Sequence, residues 1–310
     1  MSEGEMKVVP GIEITPARMI LSNLPDMDYP AYVSTKTYGL GDYVTIDRIN
    51  YQSLAANNTG KNPVIDTSSP PVWQNMGWVN KYRMFKKNIG NTWKGGTFTI
   101  NPEVIDFTIR PGKRVNAIGF VGVRAISIRI VMTIPGSADP VYDRTFVMTR
   151  KAGGSWYQYY FGPFTTQDNL AQFDLPPFNN ADIRVIVSAP GANAQVGMMV
   201  IGWAKSIGTA VYGTSLGRKK YTTIKEDFDG TLTITKRGRR RSIDFQVVLL
   251  DDDEIANSQR VLDEVDDIPS LFVGSSDLSY TVIVGIFDDF DTGLPTYKFG
   301  QYTLKVRSLS

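Results

Sequence analysis

Runs of alternating apolar and polar side chains, each closed by glycine, proline, asparagine or aspartate, recur through the middle of this chain. In VNAIGFVGVRAISIRIVMTI the alternation sets Ile126, Ile128, Ile130 and Met132 on one side. The segments DRTFVMT, SWYQYYFGPF, ADIRVIVSAP and QVGMMVIGWAKSIG continue the series. A period of two belongs to strands, and short strands without helical patterns between them fold as two packed antiparallel sheets. Residues 95–212 are therefore expected to form an antiparallel β-sandwich of jelly-roll-like character. In SWYQYYFGPF the alternation sets Trp156, Gln158 and Tyr160 against Tyr157, Tyr159 and Phe161. Rings on both faces suit a strand buried on both sides or at an interface. Trp156, Tyr157, Tyr159 and Tyr160 are candidate contacts for a neighbouring subunit or a glycan.

The flanking segments read differently. Residues 1–34 form an extended N-terminal arm, because Pro10, Pro16, Pro25 and Pro30 interrupt any helix. Its apolar residues, among them Val8, Val9, Ile12, Ile14 and Met19, imply that it lies along another surface or forms an edge strand. Residues 35–94 hold a small unit of short strands with an aromatic junction. Tyr43, Val44, Ile46, Ile49, Tyr51 and Leu54 alternate about a hairpin turn at Asp47-Arg48. No Gly/Ser spacer follows, so GWVNKYRMF reads as a rigid elbow. Trp78, Tyr82, Met84 and Phe85 are its candidate docking residues, and Trp93 the entry to the first sandwich strand.

Residues 213–310 read as α+β. Asp229-Gly230 signals a hairpin, and DDDEIANSQRVLDEVDDI is the single good helix, near 252–267. Asp251, Asp252 and Asp253 complement its dipole, while Ile255, Val261, Leu262 and Val265 form its apolar stripe. The basic run Lys236-Arg237-Gly238-Arg239-Arg240-Arg241 lies between two expected strands and lacks interleaved aromatics. It is read as an exposed turn in which Arg239, Arg240 and Arg241 meet acidic groups of a neighbouring subunit. Nucleic acid is not expected as a partner, since the chain carries a net charge of only +2.

Histidine and cysteine are both absent. That removes the Ser-His-Asp triad, the thiol nucleophile, thiolate or imidazole zinc sites and every disulfide. Any enzyme here would rest on carboxylates, lysine or tyrosine alone. The acidic runs Asp251–Glu254 and Asp288–Asp291 lack the spaced ligands and central glycine of a calcium loop. They read as a capped helix start and a hairpin turn. No catalytic, cofactor or metal residue is expected, and the chain is not read as an enzyme. No apolar run reaches the eighteen residues of a membrane-spanning helix, and MSEGEMKVVPGIEITPARM lacks the pattern of a signal peptide.

Two resemblances add to this reading. Tyr38-Gly39, Gly41-Asp42, Val44, Tyr51, Asn58-Thr59-Gly60, Pro63 and Trp73 resemble the small type-3 chitin-binding module. Tyr38, Gly41, Asp42, Tyr51 and Trp73 match that framework, whose tryptophan is buried. Sugar-binding members carry exposed aromatics after the second strand, where this chain has Leu54-Ala55-Ala56-Asn57. On a larger scale, ITPARMILSNLPDMDYPAY, NKYRMFKKNIG, YDRTF, DLPPFNNADIRV and VYGTSLGRKKYTTIKEDFDG follow one another as in a family of tail proteins of double-stranded DNA phages. At the junction that family has an acid where this chain has Lys86. The resemblance implies a structural component of the tail tip or baseplate, made in the host cytoplasm and residing in the virion. Other tail proteins would be its partners, in a homo-oligomeric ring or symmetric cluster, with no catalytic residues. The alternative is an adhesion module that holds a cell-surface glycan weakly and gains avidity from many copies.

Overall fold

A computed structural model describes residues 4–309 apart from 87, 90, 91, 94–96, 138, 152–154, 162, 163, 212, 227, 229, 230, 236, 237, 276, 277, 289–291, 297 and 298. The fold is mainly β, built from antiparallel sheets, with one helix longer than two turns among the described residues. The expected Asp229-Gly230 turn lies outside the described residues, as does most of the Asp288–Asp291 turn.

The N-terminal segment supplies β1 (Gly4–Pro10) and β2 (Met19–Ser22), which join different sheets. The small module follows with β3 (Thr37–Tyr38), β4 (Tyr43–Ile46), β5 (Ile49–Ser53), β6 (Asn58–Thr59) and β7 (Trp73–Trp78). Strands β4, β5 and β7 make one sheet, and β3 pairs with β6. Asp47 and Arg48 turn the hairpin with φ of 48° and 66°, the left-handed pair that a two-residue turn between twisted strands needs. Tyr38, Val44, Tyr51 and Trp73 form the core. Tyr32 of the N-terminal segment stacks on Tyr38 at 5.7 Å and meets Trp73 edge-on at 6.1 Å. A unit this small has too little apolar surface of its own, so a ring from outside completes its core.

After β8 (Asn88–Ile89) and β9 (Thr92–Trp93) comes the sandwich. Its strands are β10 (Thr99–Ile109), β11 (Ala117–Val121), β12 (Ser127–Thr133) and β13 (Tyr142–Val147). A ribbon then leaves it through β14 (Thr149–Lys151), α1 (Trp156–Phe161) and β15 (Phe164–Thr166). The chain returns as β16 (Asn169–Gln172), β17 (Asp182–Val196) and β18 (Met198–Gly202). One sheet runs β13-β12-β17-β10-β2 and the other β16-β11-β18. Ile128, Ile130 and Met132 point inward and are fully buried, whereas Ile126 precedes the strand and is exposed.

The aromatic segment is a correction: Trp156–Phe161 is a short helix, not a strand. Its described side chains, Trp156, Tyr157 and Tyr160, are all exposed although the alternation sets Tyr157 opposite the other two. Trp156 and Tyr160, four residues apart, stack instead on one side of the helix.

The C-terminal unit contains β19 (Lys205–Ala210), β20 (Ser215–Lys220), β21 (Thr223–Glu226), β22 (Leu232–Thr235) and β23 (Arg239–Leu249). Then come α2 (Asp252–Glu264), β24 (Ser270–Val273), β25 (Val282–Phe287), β26 (Gly293–Thr296) and β27 (Phe299–Ser308). Strands β23, β19, β1, β24, β25 and β27 pair in that order, and β27 pairs back onto β23. The sheet therefore closes into a six-stranded barrel. Closure removes the free edges that an open sheet would expose. Met6, Val8, Phe245, Phe272 and Leu304 fill it, and Val261, Leu262 and Val265 of α2 pack on the same cluster.

The units are interlocked. β1 sits between β19 and β24, so the N-terminal segment is a wall of the barrel, and the sheets draw strands from across residues 34 and 212. Sheet β16-β11-β18 is buried on both faces. Ile118 and Phe120 of β11 face the sandwich core, while Ala117 and Val121 face Val9, Leu271 and Val284 on the outside of the barrel.

Candidate functional site

The elbow between module and sandwich is held by side chains from three directions. Trp78 ends β7, and Asn80–Tyr82 forms a 3-10 turn. The Asn80 side chain mimics a strand neighbour: Ile100 N–H donates to its Oδ1 at 2.9 Å, and its Nδ2 donates to Ile100 O at 2.7 Å. Tyr82 is buried with Arg48 over its ring, and Met84 lies in the sandwich core. Met199 N–H donates to Met84 O at 2.9 Å, so the elbow backbone bonds to β18. Phe85 meets Phe107 edge-on at 5.5 Å.

Acids of the N-terminal segment close over this elbow. Glu13 pairs with Lys86, Asp26 with Lys81 and Asp28 with Arg83, each at 2.7 Å. Asp28 is the most enclosed of the three acids and also accepts from Asn80 N–H at 2.9 Å and Asn50 Nδ2 at 2.8 Å. The hydrogen bond from Lys86 holds the Glu13 carboxyl below the usual range, and Lys81 does the same for Asp26. The Lys86 ammonium also sits 4.4 Å from the Trp78 ring centroid. The resemblance expects an acid at 86; this chain instead uses a lysine shared between a ring and Glu13.

The other expected residues fall into separate places. Trp73 is buried and donates through Nε1 to Lys61 O at 2.9 Å. Asp42 accepts from Gly39 N–H at 2.7 Å, and Gly41 turns the chain with φ of 89°. Tyr38 and Tyr51 are core. The side chains of Tyr159 and Trp93 lie outside the described residues. Trp156, Tyr157 and Tyr160 are 80%, 73% and 65% exposed at the tip of the β14–β15 ribbon.

Arg239, Arg240 and Arg241 are also a correction. They lie in β23, not in a turn, directly opposite Lys220, Lys219 and Arg218 of β20. Three like-charge pairs thus face each other across a ribbon that is exposed on both strands. Among the described residues only Arg241 of the six forms an ion pair, at 3.5 Å with Asp168. The ribbon continues outward as β21–β22, where Ile224 and Ile234 oppose each other and Leu232 shares their face. These three are 57–64% exposed.

Sequence reasoning missed Asp28, Asn80, Glu13 and the cations of β20. The partners Asn80 and Arg83 of Asp28, and Lys86 of Glu13, lie 50 or more residues away, and Asn50 lies 22 from Asp28, distances no local pattern encodes. Alternation in LTIT was the one signal for the ribbon's apolar face.

Among the described residues no cluster of three or more acids could hold a metal, and no helix is long and apolar enough to cross a membrane. No protein-family model matches this chain, and no curated protein matches it. The fold and these surfaces define a mainly β protein of three interlocked units with two projecting ribbons.

Proposed function

We propose that this chain is a structural component of the tail tip or baseplate of a tailed bacteriophage, binding neighbouring tail subunits in the virion. The observation that carries the reading is the contrast between interior and projections. The N-terminal segment enters the barrel, the sandwich and the module in turn, so the units are tied into one block. Projecting from it are two ribbons that expose apolar or unbalanced charged side chains to solvent. Contact surfaces held on a rigid block lose little conformational entropy on assembly. The test is quantitative mass spectrometry of purified particles. Copies in a multiple of about three or six are expected for a symmetric cluster; absence from particles overturns the proposal.

One observation favours a second reading, host adhesion through a weak glycan contact. The Trp156 and Tyr160 rings lie nearly parallel, 6.2 Å apart, at an exposed tip. Exposed rings of that kind offer a flat apolar face to a sugar. The small module supports this reading less, because Trp73 and Tyr51 are core and residues 54–57 carry no ring.

A further inference from the structure

β23 carries a basic run at its start and is followed by an acidic run just beyond its end. Arg239–Arg241 begin it, while Leu249 ends it two residues before the acidic start of α2. At roughly 3.3 Å per residue the strand holds these groups ~30 Å apart. Within one molecule the basic and acidic groups therefore stand at opposite ends of the barrel, although they are neighbours in sequence. Residues 215–241 contain nine Lys/Arg and three Asp/Glu, an excess of +6 on a chain of net +2, so the remainder carries −4. At the α2 end Asp251, Asp252, Asp253, Asp263, Asp266 and Asp267 are all exposed. Two exposed apolar residues, Leu250 and Ile268, flank the helix there.

We infer that the β20–β23 ribbon docks on the α2 end of a second copy of this chain, head to tail. The ribbon stem is basic and its outer face, Ile224, Leu232 and Ile234, is apolar. The α2 end offers acids together with Leu250 and Ile268, the complement of both. Cross-strand like charges destabilise a ribbon standing alone, and a neighbour's carboxylates offset that repulsion. The apolar face argues for protein over nucleic acid, whose phosphates would answer the cations but leave Ile224, Leu232 and Ile234 without a partner. Because the two surfaces differ, the contact is heterologous, and repetition yields a ring or an open stack. This deepens the assembly reading and names the partner, but it is tested without particles.

The experiment is sedimentation velocity on the purified full-length chain. Self-association is expected in about 0.1 M salt and should weaken in about 1 M salt, where the Debye length falls to ~3 Å. Arg239→Glu/Arg240→Glu/Arg241→Glu, and separately Asp253→Lys/Asp263→Lys/Asp266→Lys, should each weaken association by at least about tenfold. A chain carrying both sets should recover it. If a charge variant melts at a lower temperature than the parent, Ile224→Ser/Leu232→Ser/Ile234→Ser, confined to exposed positions, must weaken association instead. A parent chain that stays monomeric at high concentration overturns the inference, as do variants that associate like the parent. Loss of binding to a short DNA duplex in the arginine variant, with association unchanged, also overturns it in favour of nucleic acid. Self-association of a chain absent from particles would leave this inference standing and remove the phage reading alone.

Discussion

Gly119 of β11 lies so close to Leu271 of β24 that a methyl group added to the glycine would overlap Leu271 Cδ2 and stand 3.3 Å from its Cγ. This contact presses the sandwich against the barrel. Leu271 is fully buried among Val9, Val200 and Val284, so it has no open direction in which to move. Gly119→Ala is expected to destabilise the protein by ~1–3 kcal/mol, the range for overpacking a filled core. Adding Leu271→Ala should give a total smaller than the sum of the two single costs, since each relieves the other's misfit. Urea denaturation of the four proteins checks this; additive costs would show that the two residues do not share a packed contact.

Asp28 and Asp26 make similar-looking ion pairs with different consequences. Asp28 accepts from Arg83, Asn80 and Asn50 in a part-buried site, and its loss strands all three donors. Asp28→Ala is expected to cost about 2–4 kcal/mol, as for other enclosed charge-assisted networks. The Asp26 side chain is 74% exposed, so Asp26→Ala should cost under ~1 kcal/mol. Equal effects in denaturant unfolding would contradict the role assigned to Asp28.

How much of this was legible in the sequence depended on the range of the interaction. The Asp47-Arg48 turn, the α2 stripe and the buried Trp73 are set by neighbours or by side-chain size, and local pattern exposes them. The α2 start is equally local: Asp251 accepts from Glu254 N–H at 2.7 Å, and Glu254 accepts from Leu250 N–H at 2.8 Å. Barrel closure was hidden because β1 pairs with strands some 200 and 260 residues away. Alternation tells which face of a strand is apolar but not which strand it meets. It also misled at Trp156–Phe161, where rings that favour strands sit in a short helix. For Arg239–Arg241, a charged exposed strand and a charged turn look alike in composition.

Stability should depend on pH at both ends of the scale. The Glu13 carboxyl is lowered by its hydrogen bond with Lys86, so its contribution is complete above the ordinary value of 4.5 and is lost as pH falls through the lowered value. Because Glu13 is largely exposed, that contribution is under ~1 kcal/mol. Glu13→Gln should therefore differ from the parent at neutral pH and converge on it in acid. Tyr302 titrates the other way. Burial raises its hydroxyl to about 12, so its contribution is complete below the ordinary value of 10.0 and is lost as pH rises through 12. The parent should lose stability relative to Tyr302→Phe above pH 10.0. Parallel curves for parent and variant at either extreme would refute the corresponding assignment.

The aromatic tip separates the two readings of function. Trp156 and Tyr160 are exposed and stack on each other, so the pair contributes only about 0.2–0.5 kcal/mol to the fold. Trp156→Ala/Tyr160→Ala should consequently leave the melting temperature almost unchanged, and any functional loss reports on a contact made outside the chain. If the tip meets a neighbouring tail subunit, as the proposed role expects, purified particles should contain fewer copies of the variant than of the parent. If the tip instead holds a glycan, particles should form with the full number of copies and attach poorly to cells. Normal copy number with normal attachment would mean that the exposed rings serve neither contact, and the search for the partner surface would move to the β20–β23 ribbon.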